Sequence, residues 1–294
     1  MRIAYLIGAD KKPKQLPRLI NALNNSNISF FIHVDKKVNI LPYYRALKTL
    51  KDQNIYFINN RVKVYWGGFS LIQAIINGLK EICNSKMDFD YVILLTESDY
   101  PIKTNEHISN FFIQNLGKQF LEYGPIPRKN WIEGGIKRIS RYHFMDIRNR
   151  FLKYFLNTFS KYIPKNHVLK GAKIYGGNLW WCITYNCAEF LLDFIDNNPK
   201  YCKYFKYTML PDEMFFHTII VNSIFRKDII NKCLHYIDWS IPDHTGHYPR
   251  IIIKNDFETL SSVDKLFARK FDIYFDSEIL DLIDEKILKS NNPI

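Results

Sequence analysis

The sequence predicts an α/β fold with a mostly parallel, Rossmann-like sheet flanked by helices. In the first third of the chain, short apolar runs typical of buried strands alternate with stretches of helical periodicity. Strands that alternate with helices form parallel sheets, and such sheets bind ligands beyond the carboxyl ends of their strands. Acidic residues follow the ends of three of these runs, at Asp10, Asp35 and Asp99. We therefore expect a ligand site at that edge of the sheet.

The first elements follow one another in regular order. The run at 3–7 predicts a first strand, and Leu16–Leu23 has the periodicity of a helix. The run Ile28–Val34 predicts a second strand, and a further helical pattern leads to a third strand at 55–58. Ser70 then opens a helix that we expect to reach about residue 83, with the serine as its N-cap.

The remainder of the chain has a weaker pattern. A fourth strand is predicted at 91–95, and the region at about 115–180 is irregular and basic. The glycines at 176–177 indicate a turn into a strand. Helices are expected near 188–195, after residue 213 and at 279–288. Because no linker or internal repeat interrupts the sequence, we expect one domain, 1–294, made of two fused lobes.

Composition and charge limit the classes of function. The chain has 294 residues, of which 47% are hydrophobic, enough for a substantial core. Its formal net charge of +12 indicates an anionic partner, such as a nucleic acid, a phosphorylated ligand or an acidic membrane surface. The lysines are spread along the sequence without a known nucleic-acid-binding motif, so we do not expect nucleic acid to be that partner.

The cysteines and the first residues bear on where the protein is found. Five cysteines are widely spaced and include no CxxC pair, so the sequence indicates neither a zinc site nor a disulfide framework. A reducing compartment is the simplest interpretation. The N-terminus indicates a strand rather than a signal peptide, and no run reaches the roughly 18–20 apolar residues of a membrane span. We expect a soluble, cytoplasmic protein.

Two adjacent carboxylates, Asp212 and Glu213, follow Pro211 and precede an apolar run. Proline favours the first position of a helix and acids favour its first turn, so the spacing puts Glu213 at the mouth of a helix. Desolvation there would raise the basicity of the carboxylate, and the helix dipole would lower it. Two interpretations stay open, an ordinary helix N-terminus or a fixed, partly desolvated carboxylate at a functional site.

Motifs that cradle phosphate are missing. Neither GxxxxGK[ST] nor GxGxxG occurs, which disfavours a P-loop enzyme and a standard dinucleotide oxidoreductase. One Asp-x-Asp pair, Asp88 and Asp90, precedes the fourth strand and should lie at the wrong edge of the sheet to hold a metal on a diphosphate. A diphosphate bound without a metal needs fixed cations. Arg250, Arg269 and Lys270 are candidates, although each also fits an ordinary solvated side chain.

Two aromatic positions leave their alternatives open. Trp66 lies in a Tyr-Trp-Gly-Gly turn between a strand and a helix, where it either packs in the core or faces a ligand. His33 lies on the apolar second strand, and there a core histidine whose hydrogen bonds are satisfied is more common than a ligand-binding one.

The basic segment at 148–163 has an amphipathic helical pattern. Its charge comes from Arg148, Arg150, Lys153 and Lys161. One face is apolar and consists of Phe151, Leu152, Phe155, Leu156 and Phe159. The pattern fits a core-packed helix with a basic solvent face, and it also fits a helix that docks on an anionic membrane surface.

Six segments, taken together and in order, resemble one family. They are IHVDKK at 32–37, YWGGFS at 65–70, DYPIK at 99–103, GNLWW at 177–181, PDE at 211–213 and FARKFD at 267–272. This set is similar to that of the core-2/I-branching β-1,6-N-acetylglucosaminyltransferases, a family that also includes the peptide O-xylosyltransferases. The resemblance extends over about residues 1–275.

The resemblance implies a GT-A-like glycosyltransferase fold and an inverting enzyme. Such an enzyme transfers a sugar from a UDP-sugar to a hydroxyl of a glycan acceptor, and GlcNAc is the first candidate for that sugar. The enzyme needs neither a metal ion nor another cofactor. The nucleotide-binding half would be about 1–115, and the acceptor-binding and catalytic half about 116–294. A transferase for UDP-xylose or another UDP-sugar stays open on the same fold, as does a catalytically silent protein that binds a glycan or a nucleotide.

The same resemblance implies roles for particular residues. Glu213 matches the catalytic base, and Arg250 and Lys270 match the residues that contact the diphosphate. The nucleoside contacts match Ala9, Asp10, Asp35, Lys36 and Tyr65. The acceptor contacts match Glu133, Arg138, Arg141 and Trp180.

The sequence also departs from that family. Secreted animal members have a membrane anchor, a stem and disulfides, and we expect none of them here, so the sequence resembles a compact bacterial version. We expect a role in surface polysaccharide or lipid-linked glycan synthesis on the cytoplasmic side, with peripheral contact to an anionic membrane at its inner face.

Overall fold

A computed structural model describes residues 1–48, 50, 54–163, 165, 173–242, 246 and 248–289. The strands are β1 (Ile3–Ala9), β2 (Ile28–Val34), β3 (Ile55–Phe57), β4 (Tyr91–Thr96), β5 (Asp99–Pro101), β6 (Gln119–Phe120), β7 (Tyr123–Pro125), β8 (Tyr175–Gly177), β9 (Cys182–Thr184), β10 (Ile229–Ile230), β11 (His235–Ile237) and β12 (Phe267–Arg269). The α-helices are α1 (Leu16–Leu23), α2 (Leu41–Leu47), α3 (Phe69–Asn84), α4 (Asn105–Gln114), α5 (Ile136–Ser140), α6 (Arg150–Phe159), α7 (Tyr185–Asn197), α8 (Pro199–Lys206), α9 (Phe215–Val221), α10 (Phe257–Ser262) and α11 (Glu278–Ile283).

The central sheet is mostly parallel, as the sequence predicts. In the described part of the chain it has seven strands in the order β10-β6-β9-β4-β1-β2-β3. Strand β1 lies between β4 and β2 and is parallel to both. Strand β9 pairs antiparallel with β4 and so joins the second half of the chain to the first. The predicted α/β fold class is therefore confirmed.

Helices cover both faces of this sheet. One core packs α1, α2, α4, α10 and α11 against the sheet, and the other packs α3, α7, α8 and α9 against its opposite face. Ile3, Tyr5 and Ile7 of β1 point into the first core. Ala4 and Leu6 point into the second, as the alternation of side chains along a strand requires. A strand buried on both faces has the continuous apolar sequence that made β1 and β2 recognisable.

Most predicted elements are confirmed with small shifts at their ends. Helix α1 and strand β2 have the predicted bounds, β1 extends to Ala9, and β3 ends at Phe57. The helix expected at 279–288 is α11 followed by a π-helical turn over Asp284–Leu288. No helix in the described residues is long and apolar enough to cross a membrane.

The prediction that Ser70 caps α3 is wrong. The helix begins one residue earlier, at Phe69, and Gly68 occupies the N-cap position. The Ser70 hydroxyl instead donates to Asp146 (Oγ–Oδ1 2.5 Å) and accepts from the backbone N–H of Tyr65 (2.8 Å). The serine therefore ties the turn before α3 to the loop before α6.

Asp99 does not face the expected ligand edge. It lies in β5, is fully buried and forms an ion pair with Arg269 (Oδ1–Nε 3.1 Å). Its other oxygen accepts from the backbone N–H of Thr96 (2.5 Å). Burial raises the pKa of Asp99, and the charge of Arg269 opposes that rise. The aspartate thus holds β12 against the end of β4, and Arg269 is removed from the candidate phosphate ligands.

Gly78 allows α3 to lie close against β1. A Cβ at this position would overlap Leu6 Cδ1 and lie 2.9 Å from Leu6 Cδ2. We expect Gly78→Ala to lower the free energy of unfolding, because overpacking costs about 1–3 kcal/mol and the helix propensity of alanine returns about 1 kcal/mol at most. Chemical denaturation measures the change. Gly8→Ala, whose Cβ would lie 3.7 Å from Thr96, is the control and should be near neutral. A Gly78→Ala variant as stable as the parent would contradict this packing.

Candidate active site

Glu213 is presented by a strained turn next to the Trp-Gly-Gly segment. Residues Pro211–Glu213 form a 3-10 turn just before α9, so the helix mouth expected from the sequence is displaced by one short turn. Leu210 has a φ of 50°, a left-handed conformation that is uncommon for leucine. Its N–H donates to the carbonyl of Gly67 (3.0 Å). The turn around Trp66 therefore supports the backbone that carries Glu213.

Arg138 pairs with Glu213. The Arg138 Nη1 atom lies 2.5 Å from Glu213 Oε2, and the guanidinium lies over the ring of Trp131 with its Cζ 4.1 Å from the centroid. The Glu213 side chain keeps 28% of its surface exposed. Burial raises the pKa of Glu213, and the charge and hydrogen bond of Arg138 oppose the rise. The structure thus joins a predicted base and a predicted acceptor residue in one charged pair.

The neighbouring Asp212 has a different environment. It is buried, and within the described residues its Oδ1 atom has no hydrogen-bond partner. Burial, together with the negative charge of Glu213, raises the pKa of Asp212 to about 7. Of the two adjacent carboxylates, only Glu213 has both a cationic partner and access to solvent.

The other predicted acceptor residues are not all at an open surface. Glu133 is exposed, adopts a left-handed φ of 49° and forms an ion pair with Lys137. Arg141 follows α5 and is half-buried. Trp180 is only 5% exposed and packs under the guanidinium of Arg269, whose Cζ lies 3.9 Å from its ring centroid. In this conformation Trp180 is therefore a core residue, and it does not line an acceptor surface.

The predicted nucleoside residues meet at the ends of β1 and β2. The N–H of Asp35 donates to the carbonyl of Ala9 (2.8 Å), so the two strand ends lie side by side. Asp10 follows with a half-exposed carboxylate. Asp35 is buried, and its Oδ1 accepts from the backbone N–H of Lys37 (2.8 Å). The N–H of Lys36 donates to the carbonyl of Val62 (2.9 Å).

The structure shows the environments of Trp66 and His33, which the sequence left open, and of the neighbouring Tyr65. Lys37 Nζ lies 5.2 Å from the ring centroid of Tyr65, which brings Tyr65 to the end of β2. The adjacent Trp66 is 80% exposed, so it is not a core residue. His33 is buried and its Nε2 accepts from the N–H of Val62 (3.0 Å). Burial lowers the pKa of His33 to about 4, and the core interpretation of this histidine is confirmed.

Glu97 is an important residue that the sequence reasoning missed. Its Oε1 accepts from the backbone N–H groups of Asp10 (3.0 Å), Lys11 (2.6 Å) and Lys12 (2.9 Å). The hydroxyl of Tyr43 donates to its Oε2 (3.2 Å). Burial raises the pKa of Glu97, and the three N–H donors oppose the rise. This carboxylate fixes the loop that follows β1. The sequence could have indicated this residue, because Glu97 directly follows β4, as Asp10 and Asp35 follow β1 and β2.

The segment that carries Lys270 is tied to the same loop. Lys12 Nζ donates to the carbonyl of Phe271 (2.6 Å) and lies 3.3 Å from Asp272 Oδ2. The N–H of Ile273 donates to Gln15 Oε1 (2.8 Å). Burial lowers the pKa of Lys12 against the opposing charge of Asp272, and the nearby charge of Lys270 lowers it further. Lys12 therefore ties the loop after β1 to the segment that carries Lys270.

Arg250 is held by two carboxylates. Its Nε lies 2.6 Å from Asp238 Oδ2, and its Nη2 lies 2.5 Å from Asp256 Oδ1. Hydrogen bonds to these acids raise the pKa of Arg250. Two negative charges thus offset the one positive charge, which disfavours a direct phosphate contact in this conformation. Its role at a diphosphate stays a prediction.

The Asp-x-Asp pair lies where the sequence pattern indicated. Asp88 is fully exposed, and Asp90 Oδ2 accepts from the N–H of Arg2 (2.6 Å) at the start of β1. Both aspartates are therefore at the amino edge of the sheet, away from the strand ends that carry the candidate site. In the described ranges, three or more His, Cys, Asp or Glu side chains do not gather in a metal-binding arrangement.

Comparisons with known proteins show the family of this chain. The family model for the core-2/I-branching enzyme matches residues 3–261. Xylosyltransferase 2 of Rattus norvegicus is 28% identical over 312 residues, and xylosyltransferase oxt of Drosophila melanogaster is 25% identical over 306. The alignments cover 100% and 97% of this chain but 34% and 33% of those proteins, so the chain spans about a third of their length.

A solved structure, the apo form of mouse xyloside xylosyltransferase 1, matches over the full length of both chains at 11% identity with a TM-score of 0.38. That score is too low to support an argument. The sheet order shows an α/β fold with a mostly parallel central sheet. Because the family model covers most of its length, the chain belongs to the core-2/I-branching enzyme family.

We expect Asp212→Asn to change how stability depends on pH. The pKa of Asp212 is raised from 3.8 to about 7, so between those values the folded state binds more protons than the unfolded state. Stability from this group is therefore lost as pH rises through that window. The variant should gain stability relative to the parent between pH 4 and pH 8, by a few kcal/mol at most. Denaturant titrations across pH measure the gain.

The control for this experiment is Asp88→Asn, because the Asp88 carboxylate is fully exposed. Its stability should follow that of the parent at every pH. A difference between Asp212→Asn and the parent that is constant from pH 4 to pH 8 would mean that Asp212 titrates normally.

Proposed function

We propose that the chain is an inverting, metal-independent glycosyltransferase that moves a sugar from a UDP-sugar to a hydroxyl of a glycan acceptor. GlcNAc is the first candidate for that sugar. The observation that carries the proposal is the Glu213–Arg138 pair at 2.5 Å. A partly buried carboxylate whose pKa is raised by burial and held back by one neighbouring cation fits a general base. Its turn is also braced by the Trp-Gly-Gly segment next to the strand ends.

In the proposed reaction, Glu213 accepts the proton of the acceptor hydroxyl while that oxygen forms a bond to C1 of the donor sugar. The bond between C1 and the UDP oxygen breaks, and UDP leaves with the electron pair. Attack from the opposite side inverts the anomeric centre. Arg138 favours the ionised form of Glu213, which burial alone would disfavour.

The leaving UDP needs positive charge, and in the proposal Lys270 and Arg250 supply it. Lys12 ties the segment that carries Lys270 to the loop that Glu97 fixes, and Arg250 would have to exchange Asp238 or Asp256 for the diphosphate. Fixed cations can stabilise a departing diphosphate without a divalent ion. Ala9, Asp10, Asp35, Lys36 and Tyr65 are our candidates for the nucleoside. Glu133, Arg138 and Arg141 are our candidates for the acceptor.

Transfer of xylose from UDP-xylose is a second candidate, because both relatives compared above are named xylosyltransferases. UDP release in the presence of UDP-GlcNAc, UDP-xylose, UDP-glucuronic acid or UDP-galactose distinguishes these donors. UDP binding without release from any donor would favour a silent binding protein. We place the acceptor among bacterial surface polysaccharides or lipid-linked glycans, with synthesis on the cytoplasmic side.

Glu213→Gln should retain UDP binding and lose most transfer. The amide cannot accept the proton, and loss of a general base lowers turnover on the order of 100- to 10,000-fold. UDP release from the preferred donor measures turnover, and calorimetry measures UDP affinity. Glu258→Gln removes an exposed carboxylate in α10 and should leave both unchanged. If Glu213→Gln turns over at the parental rate, the base is another residue.

Turnover should persist in EDTA, and Lys270→Ala should weaken UDP binding far more than uridine binding. Only the phosphates lose a partner, so the affinity for UDP should fall roughly tenfold or more while that for uridine stays within a factor of two. Lys227→Ala, at an exposed lysine, is the control. Activity that disappears in EDTA and returns with manganese would overturn the metal-free mechanism. Equal weakening of both ligands would separate Lys270 from the diphosphate.

A further inference from the structure

Helix α6 contacts the rest of the protein through its polar side. Lys153 Nζ donates to the carbonyl of Met145 (3.3 Å), and Asn157 Oδ1 accepts from the N–H of Phe144 (3.0 Å). Just after the helix, the Ser160 hydroxyl donates to the carbonyl of Tyr142 (2.8 Å). These three polar residues follow one another at helical spacing, so they share one side of α6. An amphipathic helix on a globular core normally packs with its apolar side instead.

The apolar side of α6 faces outward. Every one of the ten helix residues is exposed or half-buried, and Phe151, Phe155 and Phe159 are 80%, 48% and 54% exposed. Phe155 and Phe159 pack against each other with ring centroids 4.3 Å apart. We call Phe151, Leu152, Phe155, Leu156 and Phe159 the α6 apolar face. The core-packed interpretation of this segment, left open by the sequence, is wrong.

The apolar face continues beyond the helix. Tyr162 and Ile163 are exposed just after it. An apolar groove of about 250 Å³ lies between α6 and the preceding loop. The groove is lined by Tyr142, Phe144, Leu156, Phe159, Ser160 and Ile163. This much apolar surface on one exposed segment is typical of an interaction site.

The chain segment that contains α6 carries charge of one sign. Between Asp146 and Glu189 the sequence has seven Lys or Arg residues and not one acidic residue. Arg150, Lys153 and Lys161 line an open groove on the flank of the helix. These seven positive charges equal more than half of the chain's net charge of +12.

The loop that anchors α6 also reaches the candidate site. Asp146 binds the hydroxyl of Ser70, next to the turn whose Gly67 carbonyl holds Leu210. The carbonyl of Arg138 accepts from the N–H of Met209 (3.3 Å) in the same region. Helix α6 is therefore only a few contacts from the backbone that carries Glu213 and Arg138.

We propose that α6 docks on an anionic lipid surface, with its apolar face in the interface and its cations at the headgroups. Amphipathic helices with phenylalanines on one side and basic residues around them bind membranes in this way. A second copy of the chain fits less well, because a symmetric contact would bring two strongly basic surfaces together. A nucleic acid would match the charge but leave the phenylalanines exposed to water. Docking would hold the acceptor side of the candidate site at the membrane.

The test uses the full chain and two sets of vesicles, one of phosphatidylcholine alone and one with phosphatidylglycerol added. We expect co-sedimentation with the anionic vesicles at low salt, weaker binding as salt is raised, and little binding to the neutral ones. Phe155→Ser/Phe159→Ser and Arg150→Glu/Lys161→Glu should each lower the partition coefficient on the order of tenfold or more. Circular dichroism and thermal unfolding check that both variants are folded.

Each variant has a matched control elsewhere on the surface. Leu116→Ser/Ile224→Ser removes two apolar residues that are 64% and 76% exposed, and it should bind vesicles like the parent. Lys200→Glu/Lys203→Glu makes the same change in net charge on α8 and should lower binding much less than the α6 charge variant.

Two results would overturn the proposal. The first is that the parent does not bind anionic vesicles at low salt. If light scattering then shows a dimer that Phe155→Ser/Phe159→Ser disrupts, the α6 apolar face binds a second copy of the chain instead. The other is vesicle binding that the α6 variants and their controls change equally, because binding would then follow net charge and not this helix.

Discussion

The candidate site depends on one buried carboxylate, that of Glu97. A buried charge is unfavourable unless hydrogen bonds compensate it, and here three successive backbone N–H groups after β1 do so. The same interaction gives those N–H groups a common partner and therefore fixes the loop. Lys12 and Gln15, which follow in that loop, bind the segment around Phe271 and Ile273. One interaction thus links the end of β1 to the lysine segment that lies far away in the sequence.

The electrostatics of the acid pair separate two chemically similar residues. Asp212 is buried, and among the described residues its Oδ1 atom has no hydrogen-bond partner, so burial and the charge of Glu213 raise its pKa to about 7. Glu213 is partly exposed and paired with Arg138, which limits the rise of its pKa. The left-handed backbone at Leu210 sets this arrangement, and it persists because the Gly67 carbonyl and the packing around the turn hold it. The strain lies at the residue that orients the acidic turn, as is common at functional sites.

The sequence predicts features that depend on neighbours in the chain. Strand β2 and helix α1 have the expected bounds because continuous burial and helical periodicity leave a local pattern. Residues whose partners are distant in sequence were misjudged or missed. The hydroxyl of Ser70 binds an aspartate 76 residues away, and Glu97 binds N–H groups 85 to 87 residues away. The burial of Trp180 likewise depends on Arg269, and the neutralisation of Arg250 depends on which acids the fold brings to it.

Helix α6 shows why periodicity cannot decide between a core helix and an interfacial one. Both have an apolar stripe, and the difference lies in which side the rest of the fold contacts. In this chain the loop at 142–145 offers backbone carbonyl and N–H groups, which require polar partners, so Lys153, Asn157 and Ser160 turn inward. The phenylalanines are then left outside, surrounded by cations. Asp146, which follows this loop directly, binds Ser70 next to the turn that supports the backbone before Glu213, so the α6 segment and that turn are held together. A lipid surface satisfies both the apolar area and the charge at once.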